Sequence, residues 1–160
     1  MVKIREIKAR DRGNIYELMQ QEEKFKPVER EAILHRIDLF LFDADQRLYR
    51  VIVAEDNLKQ LLGYAVYGPD PQAVGTYQVY HLIHSPFVKN GEVLVQLLEY
   101  IENDLLKKKG RIIVSEISSS FQYKNQFETY LKHDYHLSSV INNFYSAGED
   151  KLILSKSFSQ

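Results

Sequence analysis

The 160-residue chain contains no cysteine and no tryptophan. Without cysteine there are no disulfides, thiolate nucleophiles or cysteine-ligated metals. Charge of one sign is also missing: the net value is −1, which gives no reason to expect nucleic acid or an anionic membrane as the main partner. No stretch approaches the roughly 18 apolar residues of a membrane span. The opening MVKIREIKARD has neither an apolar run nor a cleavage site and does not read as a signal peptide. These exclusions leave a soluble, cytoplasmic protein as the expectation. What is present is ordinary for a globular chain: 44% apolar and 27% charged residues, long enough to bury a core as one domain, residues 1–160. Eleven tyrosines and eight phenylalanines invite a base-stacking role, but no basic surface accompanies them. Tyr64, Tyr67, Tyr77 and Tyr80 read instead as core and cleft lining.

In chain order, Val2 to Lys8 predicts a half-buried strand, with Val2, Ile4 and Ile7 among charged neighbours. Asp11 is placed to cap a helix carrying Ile15, Leu18 and Met19. Phe25-Lys26-Pro27 ends it, since proline disfavours helical backbone in the residue before it. A second helix is expected from Val28 to Phe42, followed by a polar turn, Asp43-Ala44-Asp45-Gln46. Two strands, 48–55 and 60–67, then form a hairpin through Asp56-Asn57. After Gly68-Pro69-Asp70-Pro71 a further strand runs from Gly75 to His84.

The centre of the chain is that strand, a short turn from Pro86 to Glu92, and a long helix. The helix places Leu97, Leu98, Ile101, Leu105 and Leu106 on one face, ends at Gly110, and carries Lys107-Lys108-Lys109 where cations favour the macrodipole. The unpaired amides of such a strand-to-helix turn suit an anion. The strand Arg111 to Ile117 follows, so a parallel pair with a right-handed crossover is implied. A helix from Tyr123 to His133 and strands 136–145 and 150–157 complete the order β-α-α-β-β-β-α-β-α-β-β. The fold class is a mixed α/β (α+β) sheet with helices on both faces.

This order resembles the GNAT superfamily of acetyl-CoA-dependent N-acetyltransferases. "VIVAEDNLKQLLGYAVYGP", "GTYQVYHLIHSP" and "DYHLSSVINNFYSAGEDKLILSKSF" are similar to one bacterial branch, with its GTYxLYW strand and FYxxGDDK-like C-terminal turn. Tyr130 to Tyr135 (YLKHDY) stands where the superfamily has its FYEKxGF-like segment. The resemblance implies transfer of an acetyl group from acetyl-CoA, the co-substrate, to a primary amine. It also implies that dimers occur, though no stretch marks an interface.

The resemblance assigns site residues by position. The pyrophosphate loop, Q/R-x-x-G-x-G/A in the family, falls on Lys89, Asn90, Gly91, Glu92, Val93 and Leu94. Lys89 suits a phosphate; Glu92 and Leu94 replace the two glycines. A carboxylate about 5 Å from a phosphate charge costs about 3 kcal/mol at an effective dielectric near 20, before screening. The central-strand general base has Gln78 in its place, which takes no proton at neutral pH. Strict alternation puts His84, Tyr80 and Leu82 on the face of Gln78 and turns His81 away. That opposition also argues against a metal shared by the two histidines. The general acid matches Tyr130, whose ordinary pKa lies just above that of a thiol. Leu82, Ile83 and His84 are the backbone that would pair with the donor's amides, and Tyr123, Asn125 and Phe127 would line its cleft. No acidic cluster in the sequence marks the acceptor pocket. Two readings follow: an N-acetyltransferase, or a GNAT-fold protein that has lost catalysis and binds or regulates a partner.

Overall fold

The computed structural model describes residues 1–21, 25–43, 48–88 and 91–159. Most of the turn expected after the second helix, and Lys89 and Asn90 of the loop, lie outside the described residues. The strands are β1 (Lys3–Glu6), β2 (Arg50–Glu55), β3 (Leu61–Pro69), β4 (Thr76–His84), β5 (Ile112–Ser118), β6 (His136–Ser146) and β7 (Glu149–Ser157). The helices are α1 (Arg12–Gln21), α2 (Pro27–Phe42), α3 (Glu92–Lys107) and α4 (Lys124–Lys132). One sheet has the order β1-β2-β3-β4-β5-β7-β6. Among the described residues only β4 and β5 pair in parallel, as a strand–helix–strand crossover requires.

Alternation along β2 shows how the sheet is covered. Ile52 and Ala54 join a cluster with Val93, Leu97, Leu98 and Ile101 of α3. Val51 and Val53 join Ile15, Met19, Ile33 and Ile37 of α1 and α2. Each of these side chains larger than alanine contributes about 1.5–3 kcal/mol on burial. Among the described residues, no helix is long and apolar enough to cross a membrane.

Two local expectations change. Asp11 does not cap α1. It closes a 3-10 turn, Ala9–Asp11, by accepting the Lys8 amide at 2.7 Å, and it binds Arg5 at 2.7 and 3.0 Å. Gly110 is not the left-handed residue after α3. Lys109 takes that conformation, with φ of 56°, while the Gly110 amide donates to the Leu105 carbonyl at 2.9 Å. Glycine is needed there because a Cβ would run into the Leu105 side chain.

The larger correction is in β4. Val66 pairs with His81 and Tyr67 with Val79, so Tyr80 has no residue opposite it. This bulge shifts the alternation by one. Tyr77, Val79 and Leu82 face α3, while Ile83 faces α1 and α2. His81 consequently joins Gln78 and Tyr80 on the α2 face, packed on Phe25 with ring centroids 5.3 Å apart. His84 follows Leu82 in the alternation, and its Nδ1 lies 2.7 Å from the Ser85 carbonyl. The expectation that His84 shares the face of Gln78 and His81 opposes it is reversed.

Candidate active site

The site exists because β4 and β5 part. Their ladder runs from Thr76↔Ile112 to Val79↔Ser115 and stops. Beyond it β4 pairs only with β3 and β5 only with β7. The opening is a cleft of about 430 Å³ lined by Gln78 to Ile83 of β4 and Ser115 to Ser118 of β5. Phe25, Lys26, Glu29, Arg36, Asp70, Tyr123, Gln126, Tyr145 and Glu149 complete the wall.

Ser115 sits at the apex of the wedge, as the last residue of β5 that pairs with β4. Its Oγ is 2.7 Å from the Tyr130 hydroxyl and 3.5 Å from the Val79 carbonyl. Tyr130 is fully buried, edge-on to Tyr135 at 4.9 Å. Burial, opposed by hydrogen bonds from Ser115 and Gln126, pushes its pKa up to about 12. The phenol is therefore protonated at neutral pH, and Ser115 and Gln126 stand between it and the cleft.

Glu116 follows Ser115 and so projects from the opposite face of β5. Its side chain is 45% exposed and binds Lys151 at 2.6 Å. The Tyr145 hydroxyl beside it is pushed up to about 12, by burial first and then by this carboxylate. Three more carboxylates line the cleft, and each has partners of its own. Glu149 accepts Ser118 Oγ at 2.5 Å and Ser146 Oγ at 3.1 Å, which hold its carboxyl below the ordinary range. Asp70 is lowered by the Gln72 amide at 2.8 Å and by Gln78 Nε2 at 3.1 Å. Glu29 accepts the Lys26 amide at 2.8 Å.

The residues singled out from the sequence separate into groups. Gln78, Leu82, Ile83 and Tyr123 line the cleft, and Tyr130 stands behind it. Phe127 packs on the α3 side of the core, and Asn125 is exposed on α4. At the loop, Gly91 adopts φ of 65° directly before α3. Val93 and Leu94 are each 1% exposed and belong to the core, so the bulk of Leu94 points away from the solvent side of the helix start. Glu92 is exposed and accepts Gln96 Nε2 at 3.3 Å. Sequence reasoning missed Arg36, Asp70, Ser115, Glu116, Gln126, Tyr145 and Glu149. The acidic lining comes from α2, the β3–β4 turn, β5 and β7, so no local cluster announced it. Among the described residues no group of histidine and carboxylate side chains is placed to hold a metal.

No protein-family model and no curated protein matches the chain. Solved structures do. A GNAT-family acetyltransferase structure from Desulfovibrio desulfuricans has 25% identity and a TM-score of 0.89, covering 98% of this chain and 99% of its own. The ribosomal-protein-S18-alanine N-acetyltransferase of Escherichia coli has 15% identity and a TM-score of 0.81, covering 100% and 96%. An aminoglycoside 6'-N-acetyltransferase complexed with coenzyme A has 13% identity and a TM-score of 0.74, covering 99% and 98%. With a parted β4–β5 pair at its centre and this likeness over its whole length, the chain has the fold of the GNAT-family N-acetyltransferases.

Proposed function

We propose that this chain is a cytoplasmic enzyme that transfers an acetyl group from acetyl-CoA to a primary amine. The observation that carries the reading is the arrangement of the wedge. A protonated phenol stands behind Ser115 on one face of β5, and the Glu116 carboxylate stands on the other. Acetyl-CoA enters as the acyl donor between the parted strands, where Tyr80 to His84 has no partner on the β5 side. Its diphosphate lies at the start of α3, where Gly91 and the first-turn amides supply backbone donors. Lys89 would add a positive charge.

In this mechanism the acceptor approaches as an ammonium and gives a proton to Glu116, directly or through water. The neutral amine adds to the thioester carbonyl carbon, its nitrogen gives up one further proton to water, and the tetrahedral intermediate collapses with cleavage of the C–S bond. The departing thiolate takes the Ser115 hydroxyl proton, and the Tyr130 proton moves onto Ser115 Oγ. After coenzyme A leaves, solvent returns a proton to Tyr130 and takes the one held by Glu116. Gln78 serves as a partner that orients Asp70. His84, turned from the cleft, has no part in proton transfer.

Transfer of labelled acetyl from acetyl-CoA to a panel of amines tests the reading. Glu116→Gln should lower kcat/KM about 100-fold at neutral pH while leaving acetyl-CoA affinity unchanged. Donor binding without transfer to any mono-amine, diamine, amino acid, amino sugar or peptide N-terminus would contradict it.

A further inference from the structure

Among the described residues two cations line the cleft: Lys26, whose charge acts on Glu149, and Arg36. Arg36 projects from α2 into the cleft, and its guanidinium lies over the Tyr80 ring, 4.9 Å from the centroid, and 5.9 Å from that of Tyr49. The two rings meet edge to face at 5.3 Å. Cation–π stacking of this kind fixes the plane of the guanidinium and leaves its edge donors free. Among the described residues, no carboxylate lies within ion-pair distance of Arg36.

The carboxylates of the same cleft are placed differently. Asp70, Glu29, Glu116 and Glu149 each have the protein partners described above. A half-buried guanidinium facing a cleft, with no counter-ion supplied by the fold, suits an anion brought by the ligand. Tyr80 adds a second donor: burial raises its pKa above the ordinary tyrosine value, so its hydroxyl stays protonated. The lining is thus bipolar: Arg36 and Tyr80 lie at one end, where Asp70, already hydrogen-bonded to Gln78, acts on the Tyr80 hydroxyl, and Glu29, Glu116 and Glu149 gather round Tyr145 at the other.

From this we infer that the amine acceptor also carries a carboxylate, bound by Arg36, so that the substrate class is a small zwitterionic amine such as an amino acid. The inference rests on the acetyltransferase reading for the role of the cleft. A planar carboxylate accepts two parallel hydrogen bonds from the guanidinium edge while the ammonium is directed toward Glu116. The acidic end of the cleft excludes a carboxylate bound the other way round.

Two measurements on the intact protein test it. In the first, labelled acetyl-CoA is offered with three pools: the amino acids, their carboxamides and their decarboxylated amines. The amino acid pool should be acetylated at least about 10-fold faster, the usual size of a charge-assisted contact. Arg36→Met should remove that preference through KM with kcat retained, and Arg36→Lys should restore part of it. Equal or faster labelling of the other pools, an unchanged ratio in Arg36→Met, or donor binding without labelling of the amino acid pool would each overturn the inference. The second measurement needs no turnover. The Arg36 Nε–Hε NMR resonance, assigned by its loss in Arg36→Lys, should shift on titration with N-acetylalanine and not with N-acetylalaninamide. Equal responses, or none, would overturn the carboxylate site. Absence of acetyl-CoA binding would sink the acetyltransferase reading, and the titration would still decide the carboxylate site.

Discussion

Tyr130 Oη and Ser115 Oγ lie 2.7 Å apart, and only the serine of the two lines the cleft. In the proposed mechanism the hydroxyl that meets the donor sulfur is therefore the one on β5, and the phenol acts through it. Tyr130→Phe and Ser115→Ala should each lower kcat, by about 100-fold as general acids do, with acetyl-CoA affinity nearly unchanged. The double variant should be no slower than either single one, because the two work as a unit. Additive losses in a double-mutant cycle would separate them.

The same burial sets an alkaline limit. The Tyr130 pKa is raised to about 12 in the folded chain, against about 10 for an ordinary tyrosine. A group with a raised pKa contributes stability that is complete below its unfolded value and is lost as pH rises through the folded one. The wild type should thus lose stability between about pH 10 and 12, and Tyr130→Phe should lose less in that window. An identical alkaline profile in circular dichroism would contradict the burial argument.

Glu92 occupies the first turn of α3, beside the expected diphosphate, and is exposed. Solvent screening reduces the repulsion to about 1 kcal/mol. Glu92→Gln should accordingly tighten acetyl-CoA about 5-fold by calorimetry. Leu94 is not part of this test, since its side chain is core and a change to glycine would open a cavity.

A second electrostatic centre holds the far edge of the sheet. Arg5 binds Asp11 at 2.7 Å and Glu55 at 2.7 Å, with the three side chains largely buried. Burial alone would raise the Asp11 carboxyl, but the Arg5 hydrogen bond and the Lys8 amide bring it below its ordinary value. Carboxylates of lowered pKa contribute stability above their unfolded value, near pH 4, that is lost as pH falls through the folded one. Arg5→Met should cost about 3–5 kcal/mol at neutral pH by stranding Asp11, measured by urea unfolding. Adding Asp11→Asn should recover part of the loss.

Much of the fold was legible because it rests on periodicity. The leucine stripe of α3 fixed that helix and, except for Leu106, which is exposed, its buried face, and the strand before it and the strand after fixed the parallel pair. Gly110 was correctly read as a stop, though for the wrong reason: it makes room for the Leu105 side chain. The site was less legible. Alternation places side chains only while the ladder is regular, and the bulge at Tyr80 exchanged the roles assigned to His81 and His84. The position of Tyr130 was readable from the YLKHDY segment, but its distance from the cleft depends on Ser115, a residue of a different strand. Glu29, Asp70, Glu116 and Glu149 are scattered through the sequence and become neighbours only in the folded chain. Arg36 gave no signal at all, since an unpaired charge is a property of surroundings and not of spacing.

The central claim is that the parted strands β4 and β5 receive acetyl-CoA. Calorimetric titration with acetyl-CoA and with desulfo-CoA, at low and moderate salt, tests it most directly. The account predicts micromolar binding of both, weakening as salt screens the diphosphate contacts. No heat and no competition up to millimolar donor would contradict it.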